Sequence, residues 1–301
     1  MSSAASSDAL PAPEGYVEIG DARLFTRVVG SGPPMIVLHG GPDFDHTYLL
    51  PELDRLAQHA RLIYYDQRGR GRSADGVRPE DVSLESEIRD LDRLRRSIGV
   101  ESVGLIGHSW GGLLAMEYAA WHPDRVTRLI LLNTAPASHA DWVSLGERLP
   151  SMRAPGEADR LREIAGSPAF RAGDLDAEAA YYLIHFRQTV PDPQLLRTIV
   201  DRLRVHFDPA RVRLARAIED RLYEETSDAP GFDLIPRLAK VDTPTLLIHG
   251  EHDLIPIDLA VHVADAMPQA TMSTLAGLGH FAYAQDPDLV ADQVARFIWG
   301  G

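Results

Sequence analysis

The stretch Leu105-Ile106-Gly107-His108-Ser109-Trp110-Gly111-Gly112 decides which fold we expect for the whole chain. It predicts an apolar strand that turns, at Gly-x-Ser-x-Gly, directly into a helix beginning at about Trp110. Gly107 and Gly111 flank the serine because a Cβ at either position would meet neighbouring backbone in so tight a turn. The motif is weak by itself, but a strand before it and a helix after it make it specific. We therefore expect the Oγ atom of Ser109 to lie above a sheet edge, at a helix N-terminus that favours negative charge.

Composition and charge exclude several classes of protein. The 301 residues include 44 acidic and 30 basic side chains, for a net charge of −14, which argues against nucleic acid or an anionic membrane as a partner. The absence of cysteine excludes disulfides, cysteine-based zinc sites and a thiol nucleophile. Residues 1–14 are expected to form a disordered tail without the features of a signal peptide. Since no apolar run reaches membrane-spanning length, we expect a cytoplasmic protein, and its oligomeric state is left open.

Strand and helix patterns alternate over most of the chain. Tyr16–Ile19 and Arg23–Val29 alternate apolar and polar side chains around a Gly-Asp pair, which predicts a β-hairpin. Short apolar runs and helical periodicity predict strands at Met35–Leu38, Leu62–Tyr65, Val103–Ile106, Val126–Leu132, Thr245–Ile248 and Thr271–Leu275, and helices at Tyr48–His59, from Ser83 to Gly99, and at Asp288–Trp299. This alternation predicts an α/β fold with a mainly parallel sheet and helices on both faces.

The interval 137–240 breaks the alternation. It contains no convincing strand, only helix-length segments such as Ala177–Thr189 and Gln194–Arg204, and it is too long for a loop. We expect an inserted helical cap over the carboxyl ends of the strands, where open α/β sheets bind ligands. The predicted domains are a tail (1–14), a core (15–136 and 241–301) and the cap (137–240).

A serine nucleophile needs a base, and the base needs an acid to orient it. For a serine on this kind of turn, the expected chain order is serine, acid, histidine. Asp253 follows the strand Thr245–Ile248, and His280 lies in a glycine-containing loop after the last predicted strand. Three loops at one sheet edge therefore predict a catalytic triad of Ser109, Asp253 and His280.

Other candidates for these roles are weaker. The strand Val126–Leu132 is followed by Asn-Thr-Ala, which offers no carboxylate. Asp66 is expected to pair with Arg68 or Arg72 and so to hold its own loop. Since His249 and a second histidine three residues later have no third ligand at a plausible spacing, we expect no metal, and no other cofactor is indicated.

The oxyanion formed during acyl transfer needs two preorganised N–H donors. One is the backbone amide of Trp110, the residue after the nucleophile. The other is expected from the loop His39-Gly40-Gly41, with Gly41 favoured because a missing side chain allows the backbone to approach the substrate.

These motifs together resemble those of α/β-hydrolases of the proline iminopeptidase type. The resemblance rests on His39-Gly40-Gly41-Pro42, on the loop Tyr65–Ser73 with its Asp-Gln-Arg-Gly, and on Gly107–Gly112. It implies the α/β-hydrolase fold with a helical cap, and a serine hydrolase that needs no metal. Many members of this group remove an N-terminal residue, often proline, from short peptides, whereas close relatives cleave esters, amides or lactones.

Two positions depart from the aminopeptidase pattern. Asp43 follows Pro42, where typical members have glycine, and Leu254 follows Asp253, where one branch has a glutamate that grips the substrate's ammonium group. Since a charged amine in a dry pocket needs an acidic partner, Asp43 and the cap residues Glu224 and Glu225 are the substrate-binding candidates. The alternative for the two glutamates is a solvated helix face.

The leading hypothesis is a proline iminopeptidase-like serine hydrolase that cleaves a small peptide or amide through an acyl-enzyme. A carboxylesterase or lactonase with the same triad is the alternative. A ligand-binding receptor or a lyase would be a different class of protein, and the complete set of catalytic groups argues against a pure binder. The expected partner is a small molecule or a short peptide.

Overall fold

The computed structural model describes residues 13–300. Most of the predicted tail lies outside the described residues, but the first strand begins at Glu14, inside its predicted range. The strands of the described chain are β1 (Glu14–Glu18), β2 (Arg23–Val29), β3 (Pro34–Leu38), β4 (Arg61–Tyr65), β5 (Val103–His108), β6 (Val126–Leu132), β7 (Thr245–Gly250) and β8 (Ala270–Leu275).

These strands form one sheet in the order β1-β2-β4-β3-β5-β6-β7-β8. The pairs β1–β2 and β2–β4 are antiparallel, and all the others are parallel. The predicted hairpin and mainly parallel sheet are confirmed. The register places Leu38 beside Gly107 and His108 beside Leu132, so the loops after β3, β5 and β6 begin side by side at one edge.

Apolar side chains cover both faces of the sheet. Successive residues of the central strands enter opposite layers, as the two-residue period of a strand requires: Leu105 packs with one layer and Ile106 with the other. The helices of the described chain are α1 (Leu84–Ser97), α2 (Trp110–Trp121), α3 (His139–Arg148), α4 (Glu157–Ala165), α5 (Pro168–Arg171), α6 (Leu175–His185), α7 (Pro193–Arg202), α8 (Pro209–Glu225), α9 (Ile235–Leu238), α10 (Ile257–Ala266), α11 (Ala282–Gln285) and α12 (Pro287–Trp299). Helices α1 and α2 cover one face and α12 the other, so the predicted α/β class is confirmed.

The helical segment predicted at roughly Tyr48–His59 is not one continuous helix. Two 3₁₀ segments, His46–Leu49 and Glu52–Gln58, replace it. Pro51 lies between them, and a proline has no N–H for a helical hydrogen bond. The short range of 3₁₀ bonds lets the chain change direction there.

Helices α3 to α9 follow one another between β6 and β7. Within residues 133–244, all of which the structure describes, the only β pairing is an isolated bridge between Ser138 and Asp233. This bridge joins the chain entering the helical segment to the chain leaving it. From residue 13 to residue 300, no helix combines the length and the apolar character needed to cross a membrane.

Candidate active site

The turn that carries Ser109 has a strained backbone. β5 ends at His108 and α2 begins at Trp110, so Ser109 alone makes the turn, with φ of 54° and ψ of −121°. A positive φ is uncommon for a residue with a side chain and persists where the surroundings hold it. The N–H of Ser109 donates to the carbonyl of Leu132, and the N–H of Ala135 donates to the carbonyl of Ser109, both at 3.0 Å. The neighbouring strand and its loop therefore hold the turn in place.

The glycines of the motif allow backbone to meet backbone. A Cβ on Gly107 would lie 2.3 Å from the carbonyl oxygen of Gly111, and a Cβ on Gly111 would lie 2.2 Å from that of Leu38. Real Cβ atoms do not approach so closely, so the steric reason given for these glycines is confirmed. The contact with Leu38 also brings β3 and its following loop against the turn.

The three side chains expected to form a triad lie within hydrogen-bond reach of one another. Nδ1 of His280 donates to Oδ1 of Asp253 at 2.7 Å, and Nε2 of His280 lies 3.1 Å from Oγ of Ser109. Because a carboxylate only accepts, the proton of the neutral ring is on Nδ1, and Nε2 can accept from the hydroxyl. This geometry can activate a serine as a nucleophile.

Asp253 is buried, and both of its oxygens are occupied. Oδ2 accepts from the side-chain amide of Asn133 at 2.7 Å, and Oδ1 also accepts from the N–H of Ile255 at 3.0 Å. Burial raises the pKa of Asp253, but its electrostatic interactions with the rings of His280 and His249 and the hydrogen bonds that it accepts outweigh burial and lower the pKa to about 2. The carboxylate therefore stays ionised at neutral pH.

Asn133 is a positioning residue that sequence analysis missed. It has a positive φ of 48°, and its side chain also donates to the carbonyl of Gly279 at 3.0 Å. It thus holds Asp253 and the loop of His280 together. A signal was available, since a polar side chain directly after β6 lies between the strands that carry Ser109 and Asp253.

A buried chain of hydrogen bonds supports the site from behind. Nε2 of His108 donates to the carbonyl of His280 at 2.9 Å, so its Nδ1 accepts from the hydroxyl of Tyr48 at 2.7 Å. That hydroxyl in turn accepts from the N–H of Gly40 at 2.7 Å. Burial lowers the pKa of His108 to about 3, so the ring is neutral and can both donate and accept in this series of hydrogen bonds. Tyr48 gave no signal in the sequence, because its partners are distant along the chain.

The two predicted oxyanion donors are Gly41 and Trp110. Gly41 lines the cavity above Ser109 and has a φ of 117°, a value that favours glycine. Trp110 is the first residue of α2, so its N–H has no partner within the helix. Within residues 13–300, neither amide donates to another protein group. Both are free to donate to a substrate.

The Asp-Gln-Arg-Gly loop holds the loop of Gly41. The N–H of Gln67 donates to Nε2 of His39 at 3.0 Å, and its side chain donates to the carbonyl of His39 at 2.9 Å. Arg70 is fully buried and donates to the carbonyl of Pro42 at 2.8 Å and to Glu87. Two conspicuous motifs of the sequence thus form one unit.

Asp66 makes no hydrogen bond to the loop of Gly41, although it belongs to the Asp-Gln-Arg-Gly loop. It binds Nδ1 of His46 at 2.5 Å and the backbone and side chain of Arg72. Arg68 instead pairs with Asp90 at 2.6 Å. Of the two partners suggested for Asp66, Arg72 is the one found.

A cavity of about 460 Å³ lies above Ser109. Its floor includes Ser109 and His280, and helices α3, α6 and α8 each contribute side chains to its wall. Aromatic rings dominate the wall, among them Phe44, Trp142, Tyr182, Phe186, Tyr223 and Phe281. A small ligand with an apolar ring would be largely enclosed here.

Asp43 lies in the wall of this cavity and is 1% exposed. Its Oδ2 accepts from Arg204 and, at 3.3 Å, from the hydroxyl of Tyr182. Its Oδ1 has no hydrogen-bond partner among the described residues. This oxygen is itself buried, so a cation reaches it only when the side chains around it move apart, and burial without a partner favours such a contact.

The structure does not bring Glu224 and Glu225 to the cavity. Both are exposed, and Glu225 accepts from the backbone N–H of Leu84 at 2.8 Å. Glu219 and Asp220 line the cavity instead, on the same face of α8 as Arg216 and Tyr223. The signal was the spacing of these four residues (i, i+3, i+4 and i+7), which puts them on one side of a helix.

No group of three histidine, aspartate or glutamate side chains in the described part of the chain could hold a metal ion. Nε2 of His249 donates to the carbonyl of Ile255 at 2.8 Å and lies 3.4 Å from Asp253. Its position is therefore structural. Leu254, at the position that departs from one aminopeptidase branch, lines the cavity as an apolar residue.

Several proline iminopeptidases have sequences similar to this chain. That of Lactobacillus delbrueckii subsp. lactis is 26% identical, and the match covers 91% of this chain and 93% of the relative. That of Clostridium botulinum is 29% identical, with 95% and 97% covered. The resemblance inferred from the motifs is confirmed.

Solved structures share the fold. The proline iminopeptidase of Mycobacterium smegmatis has a TM-score of 0.72 at 25% identity, and 95% of this chain and 97% of that chain are covered. The esterase RhEst1 from Rhodococcus sp. ECU1013 also has a TM-score of 0.72, at 22% identity, with 95% and 98% covered. The model of the α/β hydrolase fold family matches residues 33–287. The chain therefore belongs to the α/β hydrolase fold family, and it is a hydrolase.

Proposed function

We propose that this hydrolase is an aminopeptidase of the proline iminopeptidase kind, which removes an N-terminal residue from a short peptide or amide. The observation that carries the proposal is the pair of acids, Asp43 and Glu219, in the wall of the cavity that contains Ser109. A free α-amino group is a cation that such a wall can bind, whereas an ester substrate would gain nothing from it. The sequence similarity to proline iminopeptidases supports the same substrate class.

In this mechanism His280 is the general base and Asp253 orients it. Oγ of Ser109 attacks the scissile carbonyl carbon while Nε2 of His280 takes the hydroxyl proton. The N–H groups of Gly41 and Trp110 stabilise the oxyanion. As the C–N bond breaks, His280 returns the proton to the leaving amine, and Ser109 holds the acyl group as an ester. Water then attacks this ester with the same base, which releases the acid and restores the serine.

The acids of the wall are suited to an amine that arrives with its charge. Burial, and then the negative charge of Asp43, raise the pKa of Glu219. A substrate ammonium placed between the two would lower that pKa again and ionise Glu219. Oδ1 of Asp43 is buried and has no partner among the described residues, and it would accept from the ammonium once the wall opens to it. The aromatic wall, with Tyr182 and Phe44 beside Asp43, suits both the cation and a pyrrolidine ring.

The test compares prolyl arylamides with a free and a blocked amine, alongside a short aryl ester. We expect cleavage of the free amide at a rate at least about tenfold above that of the blocked one, since losing a charged hydrogen bond costs on the order of 1.5–3 kcal/mol. Fluorophosphonate should label the wild type and not Ser109→Ala. Brisk ester cleavage without arylamidase activity would contradict the proposal, and an unlabelled wild type would overturn the assignment of the nucleophile.

A carboxylesterase or lactonase is the second candidate. Arg204 already binds one oxygen of Asp43, and Leu254 offers no charge at the cavity. Both features reduce the negative charge that the cavity can offer to a substrate's ammonium group. The Asp43→Asn variant separates the two candidates: it should lower kcat/KM for the free prolyl amide and leave the ratio between blocked amide and ester unchanged.

A further inference from the structure

A second cavity, of about 350 Å³, adjoins the first. Leu149, His185 and Leu254 line both cavities, so the two spaces lie next to each other at these side chains. Asp253 also lines the second cavity, so this space lies on the side of the site where Asp253 orients His280. In the proposed mechanism His280 gives its proton to the leaving amine. The second cavity is therefore adjacent to the path of the leaving part of the substrate.

Arg153 lines the second cavity and has no counter-charge. Its Nη2 donates to Nδ1 of His185 at 3.2 Å, and its Nη1 lies 3.4 Å from the carbonyl of the same residue. Both partners are neutral, because burial lowers the pKa of His185 to about 3. Within residues 13–300, no carboxylate lies within 4.0 Å of the guanidinium. By contrast Arg216, in the first cavity, pairs with Glu178.

The acids in the wall of the second cavity already have hydrogen-bond donors. Glu251 accepts from the N–H of Gly277 at 2.9 Å. Asp253 is bound by His280 and Asn133. Arg153 is therefore the group in the wall of the second cavity whose charge lacks an oppositely charged partner within 4.0 Å among the described residues and whose donors meet only neutral acceptors, although Glu251 and Asp253 add negative charge to the same wall.

We propose that the second cavity binds the C-terminal carboxylate of the peptide being cleaved, with Arg153 as its partner. This rests on the proposed aminopeptidase function and narrows it to short peptides with both ends free. The N-terminal ammonium lies against Asp43 and Glu219, and the scissile carbonyl lies at Ser109. The leaving part of the peptide extends past Leu149, His185 and Leu254, the residues that line both cavities. A guanidinium is suited to this role because its planar fork matches a carboxylate.

The test uses prolyl-glycine peptides of two, three and four residues, each with a free carboxylate and as its C-terminal amide. In the wild type, the ratio of kcat/KM between acid and amide should reach roughly tenfold at the preferred length, as one charge-assisted hydrogen bond provides. In Arg153→Gln the ratio should fall towards one, and Arg153→Lys should keep part of it. The matched control is Arg160→Gln, a surface arginine outside both cavities, which changes the net charge equally and should preserve the ratio.

The outcomes separate this inference from the function on which it rests. A ratio near one at all three lengths, in a wild type that cleaves the peptides, overturns the carboxylate site and leaves the aminopeptidase intact. The same holds if Arg153→Gln keeps the wild-type ratio. If the wild type cleaves none of the peptides or prolyl arylamides but hydrolyses the ester, both proposals fall.

Discussion

Backbone strain in this molecule is concentrated at the site. Ser109 and Asn133 are the non-glycine residues of the described chain with positive φ. Each is held by groups of the neighbouring strands and loops, and each positions an atom of the site: Oγ in one case and the carboxylate of Asp253 in the other. Strain of order 1–3 kcal/mol per residue persists only where the surroundings over-determine the conformation. At Ser109, the close packing around Gly107 and Gly111 provides that constraint.

Tyr48→Phe tests the hydrogen-bond chain behind the site. Losing the hydroxyl leaves the N–H of Gly40 and Nδ1 of His108 buried without partners, which costs about 1–3 kcal/mol. Since Gly40 precedes the proposed oxyanion donor Gly41, we expect kcat to fall about tenfold and KM to change little. Kinetics on the preferred substrate and thermal unfolding would measure both effects.

The control is Tyr65→Phe. The hydroxyl of Tyr65 is also buried but has no hydrogen-bond partner among residues 13–300. Removing it should leave kcat unchanged and stability equal or higher. If the two variants behave alike, Tyr48 acts only as a buried ring.

Residues fixed by strand ends were predictable, and those fixed by long-range packing were not. Ser109, Asp253 and His280 each follow a strand of one parallel sheet, so chain order alone places them at one edge. Tyr48 reaches His108 across 60 residues, and no local pattern encodes that contact. Asn133 lay at a strand end and could have been found by the rule that found Asp253.

At the scale of elements, the phase of a helix decided which acids line the cavity. Glu224 and Glu225 lie in α8, as does Glu219, but only the last shares a face with Tyr223. The sequence pattern predicts helices in this interval and not their rotation, which the buried Ile218 and Leu222 set by packing on the core. The helical spacing of the residues in α8 is therefore a better guide to which acids line the cavity than the mere presence of acids in that helix.

A network of buried charges joins three helical segments to the loop of the proposed oxyanion hole. Arg204, after α7, binds Asp43 and also Glu178 of α6, and Glu178 binds Arg216 of α8. Asp43 is the member from the core. The four charges thus couple the position of these helices to the loop beside Ser109.

Arg204→Met tests this coupling. The substitution leaves Asp43 without its arginine partner and leaves Glu178 with only Arg216 of its two arginine partners. Removing one member of a buried ion pair costs on the order of 3–5 kcal/mol. Denaturant unfolding should show that loss in the free energy of unfolding. Arg202→Met is the matched control, because Arg202 pairs with Glu52 nearer the surface, where an ion pair contributes about 0–1 kcal/mol. Equal losses in the two variants would contradict a special role for the buried network.

At the scale of the whole molecule, the alternation of strand and helix patterns along the sequence was enough to predict a mainly parallel sheet. It did not predict how each segment between two strands folds. Parallel pairing requires a crossover of about a dozen residues or more, and the segment from β6 to β7, with helices α3 to α9, is far longer than that. The strand order, in which β4 precedes β3, arises from pairing partners far apart along the chain. The helical segment predicted from Tyr48 is divided into two short 3₁₀ segments, because Pro51 interrupts it.

We expect one buried acid, Asp45, to make the stability of the whole molecule depend on pH. It is 0% exposed, and its Oδ1 caps Thr47 at 2.7 Å while Oδ2 has no partner among the described residues. Burial, and then the negative charge of Asp66, raise the pKa of Asp45 to about 7. In the unfolded chain the pKa of an aspartate is about 3.9.

Between these two pKa values the folded state binds more protons than the unfolded state, so stability falls as pH rises from about 4 to about 7. Asp45→Asn keeps an acceptor for Thr47 and cannot ionise, so it should match the wild type near pH 4. By pH 8 it should be more stable, by on the order of 2–4 kcal/mol. Denaturant unfolding at pH 4, 6 and 8 would measure the difference, with the exposed Asp124→Asn as the control expected to show none. A difference that shrinks as pH rises would mean that the folded structure stabilises the ionised form of Asp45.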